Sequence, residues 1–147
     1  MKSLWEQPRR AEIHDRINHL SPERERLWGT LTAHAAIAHL SDSLRMALGE
    51  IEEAPVPGLL RRQPMKWLAI NVLPMPKGVK GPAGYFTTKP GDWERDRQEL
   101  VRLIERCTER ASTEPWGENP FFGRLSKRQW GVLAYKHIDH HLRQFSC

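Results

Sequence analysis

The strongest local instruction in this chain lies at Ser126-Lys127-Arg128-Gln129. A serine followed three residues later by glutamine is a capping box. The hydroxyl accepts from the third backbone N–H, and the glutamine reaches back to the serine's own N–H. Leu125 and Trp130 occupy the flanking N′ and N4 positions and can form a hydrophobic staple. Trp130, Ala134, Ile138, Leu142 and Phe145 then fall on one stripe, so a helix runs from here nearly to the C-terminus.

Three further segments read the same way. From Pro8 to Leu20, a proline suited to the first helical position precedes Ile13, Ile17 and Leu20 at helical spacing. Ser21-Pro22 ends that helix, and a short turn passes through Trp28 and Gly29. From Thr32, an N-cap residue, Ala33, Ala36, Ile37, Leu40, Leu44, Ala47 and Leu48 form a stripe that Gly49 stops. From Asp92, another N-cap residue, Trp93, Leu100, Ile104, Cys107 and Ala111 share a face as far as about Ser112, with Val101 and Leu103 at its margins.

About forty residues separate the second and third of these helices. Residues 50–63 are loop-like, and 64–73 carry a nearly all-apolar segment expected to form one or two buried helical turns. Residues 74–91 hold four prolines and four glycines and read as loop. A connection of that length inside a compact domain usually has a function, such as a lid. Tyr85-Phe86-Thr87-Thr88 is too short to support a sheet. The expected architecture is all-α: a single domain over 1–147, a four-helix bundle with one long crossover.

Length and composition agree with a globular domain. The 147 residues include 39% apolar and 28% charged, with Lys+Arg 23 against Asp+Glu 18 for a net charge of +5. That excess is modest and contains no block of five like charges, so no nucleic-acid partner is expected. No apolar run reaches the roughly 18 residues of a membrane span. The opening ten residues lack an apolar core, so no secretory signal is expected. Cys107 and Cys147 make no disulfide framework, and a cytoplasmic location is the simplest expectation.

The chemistry rests on histidines. Seven are present: His14, His19, His34, His39, His137, His140 and His141. Four steps of 100° place His137 and His141 about 40° apart, flanking the apolar stripe, with His140 on the solvent side. Two imidazoles one turn apart can converge on one ion, although a pair on a core flank is as easily a satisfied core feature. His39 lies at the margin of the second helix's stripe and is better placed than His34 to complete a three-histidine site. Three neutral imidazoles leave a coordination position open, the pattern of a catalytic metal. For His14, His19 and His34 a structural role is favoured.

Two stretches carry a resemblance. Trp28-Gly-Thr-Leu-Thr-Ala-His34-Ala-Ala-Ile-Ala-His39-Leu-Ser-Asp-Ser-Leu-Arg45 and Tyr135-Lys-His137-Ile-Asp-His140-His141-Leu-Arg-Gln144-Phe are similar to the second helix and the C-terminal His-x-x-His-His…Gln signature of DinB-like proteins. They resemble in particular an uncharacterised branch of that superfamily. The resemblance implies a four-helix bundle, a divalent metal on His39, His137 and His141, and homodimers. Characterised relatives include metal-dependent thiol S-transferases and a thiol-dependent isomerase. Leu142-Arg143 departs from the Arg-Gly that often follows the paired histidines.

The expected activity is therefore a Zn²⁺- or Ni²⁺-dependent, thiol S-transferase-like enzyme acting on a small-molecule thiol and an electrophile. The alternatives are a metal-dependent hydrolase and a non-catalytic stress-response or binding module. Imidazole accepts several ions, so the sequence does not choose the metal. Gln144 and Tyr135 are candidate catalytic or ligand-orienting residues, with Asp42 and Ser43 weaker partners for the ligands. Arg61, Arg62, Lys66, Lys77, Lys80 and Lys89 can form a basic rim in the crossover. Among six tryptophans, Trp93 and Trp130 belong to the core, and Trp67 and Trp116 are candidates for a pocket mouth.

Overall fold

The computed structural model describes residues 1–110 and 113–147. The chain is mostly helical: α1 (Gln7–His19), α2 (Ala33–Ala47), α3 (Met65–Asn71), α4 (Trp93–Glu109) and α5 (Lys127–Gln144), with single 3₁₀ turns at Leu59–Arg61 and Ala83–Phe86. A minimal antiparallel hairpin, β1 (Glu118–Asn119) and β2 (Gly123–Arg124), pairs Asn119 with Gly123.

The helix termini follow the capping chemistry written in the sequence. Thr32 accepts from Ala35 N at 3.1 Å, and Asp92 accepts from Arg95 N at 2.8 Å. The capping box closes in both directions, Gln129 N to Ser126 Oγ at 3.2 Å and Ser126 N to Gln129 Oε1 at 2.9 Å. At the end of α2, Gly49 takes φ +77°, Gly49 N bonds Met46 O and Glu50 N bonds Arg45 O. This is a Schellman motif, which needs a residue that tolerates the left-handed region. The expected residues Ala111 and Ser112 of the third long helix lie outside the described residues.

Helix α2 is central. It is buried on nearly every side and packs against α4, α5, the Ala83–Phe86 turn and β1. A helix apolar around most of its circumference belongs inside a domain. Ala36, Leu40 and Leu44 share one core with Leu100, Leu103, Ile104 and Cys107 of α4 and with Ala134, Ile138 and Leu142 of α5. Ile13 and Ile17 bring α1 into the same core. Truncating one of these fully buried side chains, Leu100 for example, costs about 2–5 kcal/mol. Leu103, expected at the margin of its helix, is fully buried.

Two expectations are corrected here. The apolar segment 64–73 forms α3, but only Ile70 of that helix is buried, while Trp67, Val72 and Leu73 are exposed. Lys136 of α5 holds α3 in place by donating to Ala69 O, Ile70 O and Leu73 O, the carbonyls at the helix end. Burial lowers the pKa of that ammonium. The second correction is Tyr85-Phe86, which lies in a 3₁₀ turn and not in featureless loop. The hairpin at 118–124 falls where the sequence carried no assignment, and its turn is organised by Asn119 Oδ1 accepting from Phe121 N and Phe122 N. No helix of the described residues is long and apolar enough to cross a membrane.

The crossover is tied down by Asp42. This fully buried α2 carboxylate accepts from Thr87 Oγ1 at 3.0 Å, Thr88 N at 2.8 Å and Thr88 Oγ1 at 2.5 Å. Arg45 bridges Asp42 Oδ1, Thr88 Oγ1 and Glu99 of α4. Charge-assisted bonds of this density fix the Thr87-Thr88 segment, and with it the preceding Tyr85-Phe86, against α2.

Candidate metal centre

Packing α2 against α5 brings three imidazoles together. His137 and His141 lie one turn apart on α5, and His39 faces them from α2. Their ring centroids form a near-equilateral triangle: His39–His137 4.8 Å, His39–His141 4.9 Å and His137–His141 5.0 Å. One ligating atom from each ring lies within 4.8 Å of the others. His39 is buried and the other two are partly buried.

Hydrogen bonds decide which ring nitrogen is left to bind. His39 Nδ1 lies 2.9 Å from Tyr85 O, and a carbonyl oxygen only accepts, so Nδ1 carries the proton. The Nε2 lone pair of His39 therefore faces the cluster, where His137 Nε2 is 2.9 Å away and donates to it.

A longer relay fixes His141. Gln144 Nε2 donates to Trp28 O at 2.6 Å, which turns Gln144 Oε1 toward His141 Nδ1 at 2.9 Å. The amide oxygen accepts, so His141 Nδ1 is also protonated and its Nε2 is bare. Such outer partners set tautomer and ring orientation in histidine metal sites. Gly29, at φ +76°, leaves room for this relay. A Cβ there would meet Gln144 Nε2 at 2.6 Å.

The cluster is kept uncharged. Burial pushes the His141 pKa down to about 3, and proximity to His39 adds to the shift. Burial, and then the neighbouring imidazoles, hold His137 well below the ordinary value, and burial lowers His39 as well. Neutral imidazole is the ligating form. Zinc binds imidazole nitrogen at about 2.0–2.1 Å, which spaces tetrahedral nitrogen ligands about 3.3 Å apart. The His39–His137 pair at 2.9 Å needs to open by a few tenths of an ångström, and ligating atoms standing up to 4.8 Å apart need to draw in by about 1.5 Å. The donor set fits a divalent ion that accepts nitrogen.

Residues 8–147 match the model of a family described as "Protein of unknown function (DUF1569)". The chain belongs to that family. No curated protein and no solved structure matches it.

The remaining candidates of the DUF1569 chain sort clearly. Gln144 sits beside His141, as its spacing suggested. The Tyr135 hydroxyl is engaged elsewhere, donating to Glu12 Oε1 and accepting from Lys2 Nζ. Asp42 hydrogen-bonds no histidine among the described residues and acts through the crossover, and Ser43 Oγ donates to Leu40 O within its own helix. His34 pairs with Asp96 at 2.8 Å, and His14 lies 3.4 Å from Glu105. His140 is not on open solvent; its ring packs edge-on against Trp28 and against His141. Trp116 packs against Trp5 and Arg110, and Trp67 stands exposed on α3.

Tyr85 and Phe86 were not singled out from the sequence. Phe86 stacks on His39 at 4.7 Å with an interplanar angle of 15°. Tyr85 gives its carbonyl to His39, while its hydroxyl accepts from Asn119 Nδ2 at 3.1 Å. The available signal was two aromatic residues, the only ones between 74 and 91, inside a proline- and glycine-rich stretch.

Proposed function

We propose that this chain is a cytoplasmic, divalent-metal-dependent enzyme of the thiol S-transferase type, a DinB-like four-helix bundle with His39, His137 and His141 as its ligands. The observation that carries the reading is the tautomer control of His39 and His141, whose Nδ1 protons are committed to Tyr85 O and Gln144 Oε1 so that both Nε2 atoms are left bare in a cluster whose ligating atoms lie within 4.8 Å of one another. Zn²⁺ or Ni²⁺ suits three imidazoles. Such an ion supplies Lewis-acid chemistry and lowers the pKa of a bound thiol or water.

A thiol substrate is preferred over hydrolysis because the cluster contains three histidines and no carboxylate to serve as a general base. Of the chain's own two thiols, Cys107 is not a substitute. Cys107 is buried in the core, and burial pushes its pKa up to about 12. This chain's residues would hold the ligands in register, and Tyr85 and Phe86 would shield His39 from water.

Elemental analysis of protein prepared without a histidine tag tests this. About one divalent metal per chain is expected. His39→Ala, His137→Ala and His141→Ala each abolish it, and His140→Ala does not. A thiol panel with a generic electrophile then reads metal-dependent transfer, and light scattering reads the proposed homodimer.

A second reading, a metal-free binding module, is favoured by one contact. The His137 Nε2–H to His39 Nε2 bond satisfies both Nε2 atoms without an ion. Protein that takes up no metal when offered Zn²⁺ or Ni²⁺ would establish it.

A further inference from the structure

A chain of contacts leads from His141 through His140 and Trp28 to Lys77, and the hydrogen-bond donors of these last three side chains lack acceptors among the described residues. Lys77 Nζ sits 4.0 Å above the centroid of the Trp28 ring. Trp28 in turn packs edge-on against His140, with centroids 5.9 Å apart, and His140 packs against His141 at 5.2 Å. Among the described residues Lys77 has no carboxylate or carbonyl partner, whereas Lys66, Lys127 and Lys136 all give their ammonium groups to backbone oxygens. Trp28 Nε1 is buried with no acceptor, although the same residue's carbonyl is used by Gln144. The His140 ring makes aromatic contacts and no hydrogen bond among the described residues.

We propose that Lys77, Trp28 and His140 form an anion subsite next to the three-histidine cluster, and that the small molecule bound there carries a carboxylate. This rests on the metal-centre reading for the position of the rest of that molecule.

The donor set selects the ligand class. One ammonium held on an aromatic face supplies a single formal positive charge, and imidazole and indole supply neutral donors. No arginine fork belongs to the cluster. A singly charged carboxylate matches that charge, and a doubly charged phosphate would be left under-compensated. The cation–π contact also holds the ammonium in position before a ligand arrives, which reduces the ordering cost of binding.

The test is calorimetry with 3-mercaptopropionate and its uncharged amide, 3-mercaptopropanamide, on the wild type, Lys77→Gln and Arg128→Gln, the last removing a remote exposed charge. The wild type and Arg128→Gln should favour the carboxylate by about tenfold, the value of one charge-assisted hydrogen bond, and Lys77→Gln should erase the preference. Equal binding of both probes by the wild type, or a preference that survives Lys77→Gln, overturns the proposal. Metal content is measured on the same samples, and propionate is compared with propanamide on chelator-treated protein. A wild type that binds no metal but discriminates through Lys77 would defeat the metal-centre reading and leave the anion subsite standing.

Discussion

Gln144 and His141, three residues apart at the end of α5, are joined by an oriented hydrogen bond of 2.9 Å whose direction is set at Trp28. The Trp28 carbonyl can accept only from the amide nitrogen, so the amide oxygen must face the imidazole. One backbone atom of the α1–α2 connection thereby selects the tautomer of a residue at the far end of the chain.

Replacing Gln144 by alanine removes that selection while leaving all three imidazoles in place. Metal affinity is expected to fall by about 10–100-fold, the usual consequence of losing an outer partner of a histidine ligand. Competition with a calibrated chelator measures it. Affinity equal to wild type would show that the relay does not orient His141.

Gly29→Ala reaches the same bond from outside the helix. The new Cβ would lie 2.6 Å from Gln144 Nε2, at a backbone φ of +76° that L side chains rarely adopt. Both effects push the same way, so stability should fall by about 1–2 kcal/mol and metal affinity should weaken as in Gln144→Ala. Thermal melts and the chelator assay should move together. A drop in melting temperature with undiminished affinity would separate Gly29 from the site.

Asp42→Ala should loosen the crossover. It strips the acceptor from Thr87, Thr88 and Arg45 at a fully buried position, at a cost of about 3–5 kcal/mol. Once Tyr85 is free to move, His39 loses the carbonyl that fixes its Nδ1 proton. Faster protease cleavage between residues 80 and 90, together with weakened metal binding, is the expected outcome. Wild-type resistance to protease would show that other contacts hold the segment.

Metal-free protein should lose stability as the pH falls. Burial lowers the native pKa of His141 to about 3, against 6.5 for an ordinary histidine. Between those values the unfolded chain binds a proton that the native chain refuses, so stability rises with pH across this window. It is greatest above pH 6.5 and is lost as the pH drops toward 3. His137 and His39 shift in the same direction and add to the slope. Denaturant titrations of chelator-treated protein at pH 7 and pH 5 read the slope, and His141→Gln should flatten it. An equal slope in that variant would assign the effect to other groups.

Much of the helical framework was legible because its signals are local. Ser126 and Gln129 cap a helix through bonds that span three residues, and Thr32, Gly49 and Asp92 act over similar distances. The i, i+4 spacing of His137 and His141 placed both on one face before any tertiary contact was considered. His140 was misread because a helical wheel gives direction but not neighbours, and Trp28 covers the side it faces.

The sequence by itself determined where the long helices start, which stripes they bury and that three histidines lie on or beside buried faces. These follow from backbone capping and the period of the α-helix, which are properties of short segments. Only the tertiary structure decided that Tyr85, Phe86 and Trp28 complete the surroundings of those histidines, that Asp42 anchors the crossover and that Lys77 rests on Trp28. Each of these is a contact across tens of residues, set by how α2 packs against α5 and by where a proline- and glycine-rich segment finds its hydrogen bonds.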